Sequence, residues 1–291
     1  DLPEEERIPL IEKFRKMYET MDFYVLYNRF LKKEGYQTLP RRPLEKRKLR
    51  YEDVYPVLYL KYRLSRQAER SNIKHLVIDE MQDYSRLQYL IIRRMFSCKM
   101  TILGDRAQTM ADQQQDVLQF LPGIFGKDLR RIEMRKSYRN TVEIASYAAN
   151  LIGVTDLELF ERHGMPVLER NVTDLKAALR EAVDTLFPDE KTYETAAVIV
   201  PEEKTAERAY LILREILAEK DFDCEKRLSW LNRDSSSFKK GLTVTTFYLA
   251  KGLEFDQVFS IFPKDEKREM MMQAQYIAAT RALHELRVYH I

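Results

Sequence analysis

The sequence predicts an α/β fold in which parallel sheets are covered by helices, arranged in two lobes. Three observations lead there. From residue 73 onward short apolar runs recur, IKHLVID, KMTILGD, AAVIV, LTVTTF and QVFSIF, and strands buried on both faces read as such continuous runs. Most are separated by stretches with helical spacing, at 84–96, 141–152, 173–186, 203–219 and 269–283, the alternation that parallel crossovers require. Finally, 291 residues with 45% hydrophobic content bury a sizeable core and exceed the usual length of one domain.

Composition narrows the partners. Charged residues make up 33% of the chain, yet 49 Lys and Arg against 46 Asp and Glu leave only +3, so an anionic partner would meet local patches rather than a global field. Cys98 and Cys224 lie far apart without metal-ligand spacing and read as reduced thiols. His75, His163, His284 and His290 likewise show no ligand spacing. No apolar run reaches the roughly 18–20 residues of a membrane span, and the acidic opening DLPEEER is unlike a signal peptide. A cytoplasmic protein without membrane partners is expected, and the start at Asp1 reads as the middle of a longer chain.

The amino-terminal part is helical. Ile8, Ile11, Phe14, Met17 and Tyr18, then Phe23, Leu26, Tyr27, Phe30 and Leu31, carry helical spacing and predict two helices ending at Gly35. RRPLEKRKLR follows, with six basic residues and one acid between 41 and 50. Such a run can face phosphates, though it more often forms a solvated linker. YEDVYPVLYLKYRLSRQAE predicts a further helix, with Pro56 placed near a turn or kink.

Chemistry concentrates in HLVIDEMQDYS, residues 75–85, where an apolar run opens onto Asp79, Glu80 and Asp83. In open α/β sheets ligands bind beyond the carboxyl ends of the strands, which is where Asp79, Glu80, Gly104 and Asp105 fall. Paired carboxylates there suit phosphate chemistry, one holding Mg²⁺ and its neighbour deprotonating water. The plainer explanation is that they cap the next helix at its positive end.

Five ordered motifs favour the first account. VIDEMQD, ILGDRAQ, KSYRN, TTFYLAKGLEFDQV and QYIAATRA resemble motifs II to VI of the UvrD, Rep and HelD group of superfamily 1 DNA helicases, from about residue 50 to the end. The resemblance implies RecA-like parallel sheets of the P-loop NTPase type, an incomplete first lobe at 1–130 (domain 1A with helical segments) and a complete domain 2A at 131–291. It implies ATP and Mg²⁺ as cofactors. By position, Asp79 would hold the metal and Glu80 would act as general base, with Gln82 and Asp83 communicating with the second lobe. Gln108 would sense the γ-phosphate, Arg139 and Arg281 would be arginine fingers, and Glu254, after Lys251 and Gly252, would accept from the ribose. Gly104 and Asp105 complete the nucleotide set, and Tyr248 would take part in coupling.

The departures also inform. No G-x-x-x-x-G-K-[ST] occurs and only eight glycines exist, so the loop that cradles phosphates is missing and the chain alone is expected not to hydrolyse ATP. Residues 220–241 are too few for the large helical insertion of many relatives. Tyr248 replaces the usual His, and Ala111, Asp112 and Gln113 stand where relatives carry base-stacking aromatics. These point to the HelD, or helicase IV, branch. The expected function is a motor on single-stranded or duplex DNA; the alternative is remodelling of RNA polymerase, and the third option a non-enzymatic nucleic-acid scaffold.

Overall fold

The computed structural model describes residues 3–16, 20, 22–64, 70, 72–105, 108, 117–134, 136–155, 158–187, 193–220, 222–235, 239–264 and 269–291. They fall into two compact units, Asp1–Gly104 with Gln115–Leu129, and Asp105–Gln114 with Arg130–Ile291.

The first unit begins with α1 (Glu4–Lys16), α2 (Phe23–Lys33) and α3 (Tyr51–Leu64). Asp22 caps α2, its Oδ1 accepting from the backbone N–H groups of Tyr24 and Val25, and Gly35 adopts the left-handed conformation just past the end. Tyr24, Tyr27 and Leu31 on α2 pack with Leu39 and, on α3, Val57 and Leu60. The buried Asp53 fastens this hairpin: Tyr27 Oη donates to it at 2.8 Å and Arg50 Nε at 2.7 Å. Pro56 lies inside α3 rather than at a turn. As the sixth residue it removes one hydrogen bond in the second turn, which the packing of Val57 and Leu60 offsets.

Next come β1 (His75–Ile78), α4 (Arg86–Met95), β2 (Lys99–Ile102) and α5 (Val117–Phe125). The two strands pair in parallel, His75 with Lys99 through Ile78 with Ile102. Ser85 and Gln88 form a reciprocal capping box at the start of α4. Ile78, Tyr89, Val117 and Leu121 make the core between strands and helices.

The second unit contains β3 (Lys136–Ser137), α6 (Val142–Ile152), β4 (Glu158–Leu159), β5 (Leu168–Asn171), α7 (Leu175–Asp184), β6 (Thr195–Val200) and α8 (Glu203–Ala218). It continues with α9 (Cys224–Arg227), β7 (Leu228–Trp230), β8 (Gly241–Thr246), β9 (Phe255–Phe262), α10 (Glu269–Ala279) and β10 (Ala282–His290). Six strands form one parallel sheet in the order β5-β10-β9-β6-β8-β7. Ala196, Val198 and Val200 of β6 face Ala178, Leu179 and Leu213 of α7 and α8, whereas Ala197 and Ile199 face Ile144, Ala274 and Ile277 of α6 and α10. Period-2 alternation thus feeds two separate cores. After β6 the chain moves toward β7, and after β9 toward β5, so the sheet is wound both ways from its middle.

Five strands escape the sequence reading, the two-residue β3 and β4 among them. The stretch 269–283 is not one helix, because α10 ends at Ala279 and β10 starts at Ala282. β7 lies within residues 220–241, where no strand is expected, and β5 is an exposed edge strand without an apolar run. Residues 236–238, and Ala111, Asp112 and Gln113, lie outside the described residues. Among the described residues no helix is long and apolar enough to cross a membrane.

Candidate functional site

In the first unit the acids stand at the carboxyl end of β1. Asp79 is exposed, and its Oδ1 accepts from the Glu80 N–H at 2.8 Å. Glu80 has φ +52° and ψ +50°, the left-handed region, a conformation that costs a non-glycine residue about 1–3 kcal/mol and persists only where its surroundings impose it. They do so here. Met81 N–H donates to the Leu103 carbonyl and Leu103 N–H to the Ile78 carbonyl, each at 2.8 Å. The hydroxyl of the fully buried Tyr89 reaches the Met81 carbonyl at 3.1 Å, and Gln82 Nε2 donates to Glu80 Oε2 at 2.5 Å.

Gly104 is required by this close approach: a Cβ would lie 2.4 Å from Met81 Cγ and 2.7 Å from Met81 N. Its place is therefore against the turn that carries Glu80, with Gln82 Oε1 also only 2.5 Å from that Cβ position. Asp83 is exposed at the end of the same turn. No group of three or more His, Cys, Asp or Glu able to hold a metal occurs among the described residues. A pair of carboxylates is nevertheless the donor set Mg²⁺ takes when substrate oxygens and water complete its shell.

The second unit gathers its groups at the other end of the strands. Arg281 and Glu254 immediately precede β10 and β9, whose first residues, Ala282 and Phe255, pair. Arg281 is 1% exposed. Its Nε donates to the Ile277 carbonyl at 3.2 Å, Nη1 to the Leu253 carbonyl at 3.4 Å, and Nη2 to Thr280 Oγ1 at 3.1 Å and to Gln108 Oε1 at 3.3 Å. Gln108 Nε2 in turn donates to Asp105 Oδ2 at 2.9 Å, and Tyr276 Oη donates to the same oxygen at 3.0 Å. Burial, reinforced by the Asp105 charge, holds the Tyr276 hydroxyl well above the ordinary tyrosine range, so it remains a donor. This chain of bonds fixes which way the Gln108 amide points.

Arg139 Nε lies 2.6 Å from Glu254 Oε1, both side chains being nearly half exposed. Lys251 and Gly252 lie in the turn joining β8 to β9, Gly252 at φ +75°. Tyr248 packs half-buried beside Phe247, with the Arg233 guanidinium 5.9 Å from its ring.

Several residues here went unassigned by sequence. Asn140 is buried and donates to the carbonyls of Thr280 (3.3 Å) and Ala282 (2.6 Å), tying the Arg139 segment to the Arg281 turn. Asp256 Oδ2 accepts from Glu194 N–H (2.8 Å), Thr195 N–H (2.9 Å) and Thr195 Oγ1 (2.9 Å), locking the amino ends of β6 and β9 together. Tyr138, beside Arg139, is 61% exposed and leans on Phe160 under the Lys136 ammonium. Asn140 and Asp256 sit inside KSYRN and LAKGLEFDQV, where polar residues flanking a strand or helix start were the available signal.

Residues 4–110 match the model of the UvrD/REP helicase N-terminal domain. That stretch includes Asp79, Glu80, Gly104, Asp105 and Gln108. No curated protein matches the chain. Among solved structures it is similar to the C-terminal domain of a possible DNA helicase from Lactobacillus plantarum WCFS1, at 23% identity and a TM-score of 0.42, over 53% of this chain and 88% of that one. It is also similar to the PRRSV helicase, at 16% identity and 0.43, covering 76% of this chain and 36% of that one. A third is the arterivirus nonstructural protein 10 helicase in complex with DNA, at 15% identity and 0.41, covering 77% and 41%. The chain thus spans well under half of either viral helicase. The strand order above, rather than these likenesses, defines the fold.

Proposed function

We propose that the chain is the motor part of an ATP-dependent superfamily 1 DNA helicase or translocase, nearest the HelD branch, whose phosphate-cradling loop is not in this sequence. The observation that carries this reading is the contact between Gln108 and Arg281, 173 positions apart, two groups the motif resemblance assigns to the same γ-phosphate. The donors present suit Mg·ATP in part: carboxylates for the metal and guanidinium groups for phosphoryl charge, without the amide-rich loop. When bound, Mg·ATP supplies a phosphoryl group whose transfer to water drives the motor.

Asp79 would hold the metal. Glu80 would take the proton from the attacking water at a carboxylate oxygen, its position set by the left-handed turn and the Gln82 amide. Arg281 would neutralise charge on the phosphoryl oxygens, and Gln108, oriented by Asp105 and Tyr276, would keep its oxygen on Arg281 while that group is idle. Arg139 and Glu254 pair with each other and would exchange that partnership for phosphate and ribose. The exposed Tyr138 ring beside Arg139 offers a flat apolar face for the purine. A second reading keeps this chemistry but couples it to RNA polymerase. It draws on the short passage from α8 to β8, where the described residues form only α9 and β7.

Phosphate release tests the proposal. The chain alone should show none above background, with or without single-stranded DNA. In a longer form that supplies a phosphate loop, Glu80→Gln should keep nucleotide binding and slow hydrolysis by about 10²- to 10⁴-fold. Magnesium-dependent turnover by the chain alone, or parental hydrolysis by the Gln variant, would overturn it.

A further inference from the structure

The basic run RRPLEKRKLR takes no part in the site above, and its geometry gives it a separate use. Residues 36–50 run back along α2 as a strap. Asn28 bonds the Leu39 backbone through both Oδ1 (2.7 Å) and Nδ2 (3.1 Å), Tyr24 Oη donates to the Pro40 carbonyl at 2.8 Å, and Arg47 reaches Asp22 at 2.7 Å while lying over the Tyr24 ring. The strap is therefore fixed at the middle, first turn and amino cap of α2 in turn. Its six cations divide by role: Arg47 and Arg50 are spent on Asp22 and on the buried Asp53.

The other four, Arg41, Arg42, Lys46 and Lys48, are exposed, and among the described residues none has a carboxylate in ion-pair reach. Glu45 is the only acid between 41 and 50. A pinned backbone carrying unpaired cations presents a fixed anion-binding line, with less entropy to lose than a free linker has. Two aromatic rings bracket it, Tyr36 at 65% and Tyr51 at 78% exposure. Solvent-facing tyrosines at both ends of a cationic line are what a stacked, unpaired base requires and what an acidic polypeptide does not.

We infer that this strap is a binding surface for single-stranded nucleic acid, the four cations meeting phosphates and Tyr36 and Tyr51 stacking on bases. The inference rests on the reading that the chain works on nucleic acid, and it concerns grip rather than hydrolysis. The test is fluorescence anisotropy of the 291-residue chain with a labelled oligo(dT) of about 15 nucleotides, at salt from about 50 to 200 mM. Replacing Arg41, Arg42, Lys46 and Lys48 together by Gln should reduce the slope of log K against log salt by about 2 to 3, since each single-strand phosphate contact contributes roughly 0.7. Tyr36→Ala with Tyr51→Ala should weaken binding about tenfold or more with the slope unchanged. Oligo(U) should compete, whereas duplex DNA and polyglutamate should compete poorly.

Circular dichroism of both variants should match the parent, because every substituted side chain is exposed. Parental affinity and slope in the Gln variant would overturn the strap alone. Equal competition by duplex, or by polyglutamate, with no effect of the tyrosine changes would reassign it to duplex backbone or to an acidic protein. A parent chain that binds no oligonucleotide at any salt would sink the strap and the nucleic-acid reading together, without touching the prediction for Glu80→Gln.

Discussion

The two units use opposite ends of their parallel strands. In the first, a two-stranded pair delivers Asp79 and Glu80 past the carboxyl end of β1, exposed or half-exposed, on a turn held in a left-handed conformation. In the second, a six-stranded sheet gathers Arg281, Glu254 and Asp256 at the amino ends of β9 and β10, and Arg281 is almost wholly buried. The difference shows two ways to fix a charged group. A small sheet, marginal by itself, fixes its acids by backbone strain imposed from Leu103, Tyr89 and Gly104. A large sheet fixes its arginine by hydrogen bonds to carbonyls and side chains from three separate stretches.

The comparison breaks most visibly at Arg281. Arg281→Ala would leave Gln108 Oε1 and the Leu253 and Ile277 carbonyls without their charged donor inside the fold. Charged hydrogen bonds of this kind contribute about 1.5–3 kcal/mol. The second unit should lose about 3 kcal/mol, read as a lower urea midpoint of Trp230 fluorescence; that tryptophan is the only one in the chain and sits on β7. An unchanged midpoint would mean the network is incidental.

Glu80 should respond with the opposite sign. Glu80→Gly gives the turn a residue indifferent to positive φ, so the first unit should gain about 1 kcal/mol, seen as slower hydrogen exchange across residues 75–102, while the carboxylate proposed as the base is removed. Faster exchange there would show that the Gln82 bond, not backbone strain, dominates that turn.

The smallest effect concerns Glu143, in the first turn of α6. Glu143 accepts from His163 Nδ1 at 3.0 Å and from the Gly164 N–H at 2.9 Å, and these bonds, His163 first, lower its carboxyl to about 2 from an ordinary 4.5. A depressed carboxyl stabilises the fold above its unfolded value and loses that contribution as pH falls from about 4.5 toward 2. The parent's thermal midpoint should drop across that window more steeply than that of Glu143→Gln. Parallel curves would remove Glu143 from the account.

Legibility in the sequence followed burial on two faces. β1, β2, β6, β8 and β9 announce themselves as apolar runs, and the acids after β1 stand out because the run ends abruptly. β10 was concealed because ALHELRVYH follows α10 without Gly or Pro and carries the charges of Glu285 and Arg287, which lie 2.6 Å apart and largely buried. β5, LERN, is an exposed edge with nothing apolar to betray it. Motif resemblance named Gln108 and Arg281 without saying that they touch. The roles of Tyr276, Asn140 and Asp256 depend on contacts across 61 to 171 positions, which local pattern does not encode.

The placement of Glu254 and Arg281 directly before β9 and β10 also has a mechanical meaning. A pull directed along β9 or β10 loads two hydrogen-bonded neighbours, in register from Glu285 with Gln257 to His290 with Phe262. Load along that axis strains the rungs of the ladder in shear, all at once, where a pull across the sheet would peel them one after another. A load entering at Glu254 or Arg281 and directed along its strand is thus shared by the whole β9–β10 ladder.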